Sequence, residues 1–110
     1  IYSGNDDQIV PIMSLGGKGV ISVLSNVCPD IAHKICDEYL KGNVEESRKL
    51  QLEYLELIND LFIEVNPTPV KEAMNMMGMN VGECRLPLVK PTDAHCEKLL
   101  SSLKKHNLVK

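Results

Sequence analysis

The stretch LGGKGVISVLSNV, residues 15–27, combines three glycines, a lysine and a β-branched run, and it decides the predicted fold. A phosphate-binding loop follows a strand and opens a helix, because the anion needs the free N–H groups of a helix N-terminus. Here the order is reversed, since residues 6–15 are predicted to be a helix and residues 20–24 a buried strand. The first or second glycine therefore ends a helix in the left-handed conformation, and Lys18 faces solvent where the strand begins.

The residues before this stretch predict a second strand. Residues 1–3 are expected to end a strand, Gly4 to form a turn, and Asn5 or Asp6 to cap the following helix. Two strands joined by a crossover helix form a parallel βαβ unit. Because a two-stranded parallel sheet leaves its edges unpaired, we expect further strands from elsewhere in a longer protein. Active sites of parallel α/β folds lie at the carboxyl ends of strands, which directs attention to residues 21–26.

The rest of the chain is predicted to be helical, so the fold class is α/β with a mostly α chain. Amphipathic spacing, prolines and glycines set the helix limits. Asn43 and Thr92 are the expected N-caps of the second and fourth of these helices. The four predicted helices span residues 29–41, 44–63, 70–79 and 93–106.

The composition argues against several classes of function. The 110 residues, 44% of them hydrophobic, are enough for one modest core. A net charge of −3, one Phe, three Tyr and no Trp argue against a nucleic-acid partner. No apolar run approaches the roughly 18 residues of a membrane span, so we expect a cytoplasmic protein that does not enter the membrane. The four cysteines lack the paired spacing of a zinc site and are expected to be reduced thiols.

Two histidine–cysteine pairs could suggest a metal site. His33 lies three residues before Cys36 on one predicted helix, and His95 directly precedes Cys96 on another. Neither pair has a third or fourth ligand at a characteristic spacing. We therefore expect no metal ion, and we interpret these histidines as surface or core residues.

The residues that could perform acid–base chemistry or form a binding face also have structural interpretations. Asp6 and Asp7 fall in a first helical turn, where carboxylates usually interact with the helix dipole rather than transfer protons. No complete set of nucleophile, base and orienting group is present, so a non-catalytic helical interaction module stays an open hypothesis. The methionines of one predicted helix could form an adaptable face but are expected to fill the core; they are Met74, Met76, Met77 and Met79.

Taken in order, pieces of the sequence resemble one known family. "YSGNDD", "LGGKGVISVLSNV", "FIEVNPTPVK" and "MGMNVGECRLPLVKPT" are similar in order and spacing to the C-terminal part of the dihydrodipicolinate synthase family. These are pyruvate-dependent class I aldolases built on a (β/α)8 TIM barrel with a helical region after it. The resemblance implies that residues 1–42 hold strands seven and eight with their helices, and residues 43–110 the appended helical region. Strand seven would end at residues 1–3, and strand eight would span residues 20–24.

The resemblance also implies where the chemistry lies. In this family a strand-six lysine forms a Schiff base with pyruvate and a tyrosine relays protons, and both positions precede residue 1. Ile21 matches the position whose main-chain oxygen lines the pyruvate site, and Gly4 matches a glycine near the bound substrate. No metal or other cofactor is implied. Asn5 and Thr68 depart from the residues common in the family, without altering a known chemical group.

The implied function is the condensation of pyruvate with aspartate semialdehyde in lysine and diaminopimelate biosynthesis. An alternative is a relative with the same Schiff-base chemistry on another aldehyde, such as N-acetylneuraminate lyase. Either way, these 110 residues alone are expected to be inactive. Family members usually form homotetramers, and the helix after strand seven commonly contributes to a subunit contact. By position, the candidate interface residues are Pro11, Ser14 and Leu15.

Overall fold

A computed structural model describes residues 1–109 and is mostly helical, as predicted. The chain divides into two compact units, one spanning Ile1–Leu55 and one beginning at Glu56. Two short 3₁₀ helices, Asp6–Gln8 and Leu24–Asn26, lie in the first unit. The α-helices are α1 (Ile9–Ser14), α2 (Pro29–Leu40), α3 (Val44–Glu53), α4 (Leu55–Asp60), α5 (Thr68–Met76) and α6 (Asp93–Lys105). Within residues 1–109, no helix is both long enough and apolar enough to span a bilayer.

The predicted parallel pairing is present as a short ladder on either side of α1. Lys18 N–H donates to the Ile1 carbonyl at 2.8 Å, and Ser3 N–H donates to the Gly19 carbonyl at 2.8 Å. Ile21 N–H then donates to the Ser3 carbonyl at 2.9 Å, so Ser3 and Val20 form a parallel bridge. We call residues 1–3 and 18–21 the parallel pair.

The predicted strand at residues 20–24 is wrong in its limits. The pairing runs from Lys18 to Ile21, and the chain then bends into the 3₁₀ helix Leu24–Asn26. The cause lies outside the stretch itself, because the backbone N–H groups of Val23 and Leu24 both donate to the carboxylate of Asp6. A strand needs those N–H groups for its ladder. The β-branched run therefore cannot continue as a strand beyond this point.

The glycines after α1 end the helix as the sequence predicts. Gly16 has φ of 98°, in the region that favours glycine. Its N–H donates to the Met13 carbonyl, and Gly17 N–H donates to the Ile12 carbonyl, which together form a Schellman motif. The same pair of bonds ends α2 at Gly42, and it recurs at the ends of α5 and α6.

Two predictions about the helix that begins after Asn43 need correction. The helix expected over residues 44–63 is divided at Tyr54, whose φ and ψ of −95° and 3° separate α3 from α4. Asn43 was expected to cap α3, but its side-chain amide instead donates to the Glu38 carboxylate at 2.8 Å. Thr92 does cap α6, because its hydroxyl accepts the backbone N–H of His95 at 3.3 Å.

The core of the first unit joins α1, α2 and α3. One cluster of buried apolar side chains in it consists of Ile9, Met13, Ile35 and Leu50. Ser47 on α3 is also buried, and its hydroxyl donates to the Ile35 carbonyl at 2.6 Å. Since α3 packs with the parallel pair's unit, this unit extends to Leu55 rather than to residue 42. The division at residue 42, which concerns the barrel and its appended region, stays a prediction.

The second unit is built around a buried carboxylate. Asp60 at the end of α4 accepts a hydrogen bond from the Ser102 hydroxyl, and Lys98 Nζ lies 3.2 Å from its other oxygen. A buried carboxylate is tolerated when it is paired and hydrogen-bonded in this way. The buried apolar side chains of this unit are Leu57, Ile58, Leu61, Val70, Ala73, Leu99 and Leu103.

The methionines do not fill this core as expected. Met74 and Met76 are half-buried, Met77 likewise, and Met79 is exposed. The buried side of α5 is instead provided by Val70 and Ala73, together with residues at the start of the helix. Small side chains therefore carry the close packing, and the methionines lie at its margin.

We predict that Gly17→Ala destabilises the protein by about 2 kcal/mol through overpacking. A Cβ at Gly17 would lie 2.6 Å from Ile12 Cγ2 and 2.8 Å from the Ile12 carbonyl oxygen. The matched control is Gly4→Ala, because nothing lies within 4 Å of a Cβ at that position. Urea denaturation followed by circular dichroism measures both. Equal stability of the two variants would contradict the prediction.

We predict an acid-dependent contribution to stability from Glu64. Its Oε2 lies 2.6 Å from His95 Nδ1 and accepts the Thr92 N–H at 2.9 Å; these bonds lower the pKa of Glu64. A lowered folded pKa gives stability that is complete above the unfolded pKa, near 4.5, and is lost as pH falls through the folded value.

The test compares Glu64→Gln with the unsubstituted protein in urea denaturation between pH 6 and pH 3. The variant should be less stable at pH 6, and the difference should shrink as the pH falls. The exposed Glu97 of α6 provides the control variant Glu97→Gln, which should follow the unsubstituted protein. A Glu64→Gln difference that is independent of pH would refute this assignment.

Candidate functional site

The two residues predicted to line a substrate site lie at the same end of the parallel pair. Gly4 follows Ser3 by one residue, and Ile21 follows Val20 by one residue, just beyond the bridge between Ser3 and Val20. The Ile21 N–H bond to the Ser3 carbonyl fixes the backbone of Ile21 next to the peptide that leads into Gly4. This is the carboxyl end of both segments, where active sites of parallel α/β folds are built.

This end of the pair is open within the described chain. The Ile21 side chain is 77% exposed, and a Cβ at Gly4 would meet no atom within 4 Å. Nothing in residues 1–109 therefore requires glycine at position 4 for lack of space. The expected roles of Gly4 and Ile21 in binding substrate stay predictions.

Asp6 occupies a position that the sequence did not reveal. It is only 1% exposed, and its Oδ2 accepts the N–H groups of Val23 and Leu24, each at 2.9 Å. Its Oδ1 accepts the hydroxyl of Ser22. The carboxylate therefore holds the segment that follows Ile21, instead of interacting with its own helix as predicted.

The backbone around Asp6 is held by a side chain from α3. Gln51 is buried; its Nε2 donates to the Asp6 carbonyl at 2.8 Å, and its Oε1 accepts the Val10 N–H at 3.2 Å. On the other side, the Asn5 carbonyl accepts the Ser3 hydroxyl at 2.7 Å. Neighbouring Asp7 is exposed. No local pattern could have separated Asp6 from Asp7, because the partners of Asp6 are distant in sequence.

Lys18 lies at the other end of the parallel pair. It is exposed, and its N–H makes the first bond of the ladder to Ile1. Ile21 lies three positions further along the extended chain, which corresponds to about 10 Å at about 3.3 Å per residue. The Lys18 side chain is therefore attached at the opposite end of the parallel pair from Gly4 and Ile21.

The histidine–cysteine pairs do not assemble a metal site. Within residues 1–109, no group of three His, Cys, Asp or Glu side chains is placed to hold a metal ion. His95 is engaged with Glu64, and the Cys96 thiol donates to the Pro91 carbonyl at 3.6 Å. A thiol must also lose its proton to bind metal, and the environment here opposes that.

Burial is the main reason why the pKa values of these thiols are raised. Burial, with a smaller effect of the nearby Asp30, raises the pKa of the Cys28 thiol to about 11. Burial also raises the pKa of the Cys36 thiol, and the charge of Asp6 adds to that effect. The pKa of Cys96 is raised too, again chiefly by burial. These thiols are therefore poor nucleophiles and poor ligands near neutral pH.

The family model and the similar proteins found by comparison point to the same family. Residues 1–106 match the model of the dihydrodipicolinate synthetase family. The 4-hydroxy-tetrahydrodipicolinate synthase of Acetivibrio thermocellus is 57% identical over 109 residues, which cover 99% of this chain and 37% of that protein. The chain therefore spans well under half the length of this relative.

Solved structures agree with the sequence match. The dihydrodipicolinate synthase of Thermotoga maritima superimposes with a TM-score of 0.96 at 44% identity, covering 98% of this chain and 37% of that one. A chloride-inhibited dihydrodipicolinate synthase from Acinetobacter baumannii, complexed with pyruvate, gives a TM-score of 0.92 at 33% identity, over 98% of this chain and 37% of that one. The resemblance inferred from the sequence motifs is confirmed, and the chain belongs to the dihydrodipicolinate synthetase family.

Proposed function

We propose that the full-length protein containing this chain condenses pyruvate with aspartate semialdehyde, a step of lysine and diaminopimelate biosynthesis. The observation that carries the proposal is the meeting of Gly4 and Ile21 at the carboxyl end of the parallel pair. Support comes from a 57% identical relative named as this synthase and from a related structure that holds pyruvate. The names of these relatives favour the synthase over an N-acetylneuraminate lyase or an interaction module.

In this proposal the chain provides the last part of a (β/α)8 barrel. Residues 1–3 end strand seven, α1 is the helix after it, residues 18–21 form strand eight, and α2 follows. Residues 43–110 are the appended helical region. The remaining strands, which the exposed edges of the parallel pair require, belong to the preceding part of the full-length protein.

The proposed reaction forms a carbon–carbon bond through an enamine. A lysine amine from strand six attacks the keto carbon of pyruvate, water leaves, and loss of a methyl proton from the resulting imine gives the enamine. The enamine carbon then attacks the aldehyde carbon, and hydrolysis returns the lysine. This series of reaction steps needs no metal or nucleotide. In this chain, the carbonyl oxygen of Ile21 lines one wall of the pyruvate pocket. The open space at Gly4 leaves room beside it for the substrate.

The catalytic lysine and tyrosine therefore lie outside this chain, and we expect residues 1–110 alone to be inactive. Lys18 is no substitute for that lysine, because it lies at the amino end of its segment. The reducing environment suited to four free thiols favours the cytoplasm as the location. We also expect the full-length protein to be a homotetramer.

We predict that pyruvate and borohydride label a lysine of the full-length protein upstream of residue 1, and leave Lys18 unlabelled. Borohydride reduces the Schiff base to a stable amine, so peptide mass spectrometry identifies the lysine. The control variant Lys18→Arg should label as well as the unsubstituted protein and should form product from both substrates. Labelling on Lys18, or none at all, would overturn the proposal.

We predict that Leu15→Asp weakens subunit association in the full-length protein. Pro11, Ser14 and Leu15 are all exposed, and Leu15 is 87% exposed although it is a large apolar side chain. A charge placed in a buried contact loses its hydration without gaining a partner. Leu52→Asp is the control, since Leu52 is 62% exposed on α3.

Sedimentation velocity measures the result. The Leu15→Asp protein should sediment as a smaller species than the unsubstituted protein, whereas Leu52→Asp should leave the mass unchanged. If Leu15→Asp retains the full mass, residues 11, 14 and 15 do not form the contact.

A further inference from the structure

We propose that Asp6 is a positioning residue for pyruvate binding, because its carboxylate fixes the main chain that presents the Ile21 carbonyl. The inference rests on the proposed function and adds to it a residue that does not itself touch substrate. Asp6 begins the 3₁₀ helix that follows the first segment of the parallel pair, and Ile21 ends the second segment. The carboxylate therefore joins the two segments where the proposed pocket lies.

The peptide between Ile21 and Ser22 is held on both sides. On the amino side, Ile21 N–H donates to the Ser3 carbonyl at 2.9 Å. On the carboxyl side, the Ser22 hydroxyl donates to Asp6 Oδ1. The oxygen of this peptide is the one proposed to line the pyruvate site. Its direction therefore depends on both anchors, and only the second requires a side chain.

The two bonds after Ser22 prevent the segment from relaxing. Val23 and Leu24 each donate a backbone N–H at 2.9 Å to the same oxygen, Asp6 Oδ2. An amide in place of the carboxylate can still accept the two N–H groups on its one oxygen, but its NH₂ group cannot accept the Ser22 hydroxyl, and the negative charge is lost. Hydrogen bonds to a charged acceptor are among the stronger ones in proteins. Loss of the charge should therefore loosen residues 22–24 as a group.

Asp6 itself cannot follow this segment if it moves. It is almost fully buried, and the Gln51 amide holds its carbonyl at 2.8 Å. Gln51 is in turn fixed by the Val10 N–H. The carboxylate is thus a fixed anchor for the carboxyl end of the parallel pair, which is the property expected of a residue that sets geometry without touching substrate.

The test uses Asp6→Asn in the full-length protein, with steady-state kinetics for both substrates. We expect the KM for pyruvate to rise about tenfold and the KM for aspartate semialdehyde to stay within about twofold. Hydrogen exchange should become faster at the amides of residues 22–24 and stay unchanged in α2. The control is Asp30→Asn, which removes an exposed carboxylate from the first turn of α2 and should change neither KM.

A purely structural role gives a different result. In that case Asp6→Asn lowers the apparent kcat in proportion to the folded fraction and leaves both KM values unchanged, which overturns the proposal. If Asp6→Asn does not fold, Ser22→Ala decides, because it keeps the bonds of Val23 and Leu24 to Asp6. It removes the donor to Asp6 Oδ1 and, with it, the acceptor of the Ser25 N–H. A rise of about threefold in the pyruvate KM then supports the inference, and no rise refutes it.

Failure of this inference is distinct from failure of the proposed function. If the unsubstituted full-length protein forms no borohydride-stable adduct with pyruvate, the proposed function fails. If it forms the adduct and the KM for pyruvate is insensitive to both variants, only the role of Asp6 is refuted.

Discussion

A single buried carboxylate organises the first unit of this chain. The three groups that donate to Asp6 belong to residues 22–24, at a sequence separation of 16 to 18 residues. Removing a carboxylate from water is costly unless hydrogen bonds replace the lost hydration, and here they come from one continuous segment. The pairing ends at Ile21 for this reason, and the chain turns there toward Pro29, where α2 begins.

The second unit uses the same device with different partners. Asp60 accepts the hydroxyl of Ser102 on α6 and is paired with Lys98, whereas Asp6 accepts backbone N–H groups. An aspartate that meets a helix side chain joins two helices, and one that meets main-chain groups sets the path of a loop. In each unit, the buried aspartate thus stabilises the local structure. Neither role involves proton transfer by the carboxylate.

Features of the fold that rest on neighbouring residues are predictable from the sequence, whereas features that rest on distant partners are not. Helix ends at Gly16 and the cap at Thr92 were predicted correctly, because each rests on residues within one turn. The end of the pairing at Ile21 is missed because the carboxylate of Asp6, which is distant in sequence, decides it. The break at Tyr54 is missed as well. The family was found from ordered motifs, and the structure brings Gly4 and Ile21 together, although their roles stay predictions. Asp6 was missed because its partners lie beyond any local pattern.

The bond from Gln51 to the Asp6 carbonyl has a consequence for how the protein can be divided. The predicted domain boundary lies at residue 42, just before α3 begins. Physically, a chain cut there would lose both Gln51 and Ser47, and would leave the carbonyls of Asp6 and Ile35 without these donors. Side chains of α3 therefore support the backbone at Asp6 and at Ile35. A shortened chain that keeps these two bonds must therefore retain α3.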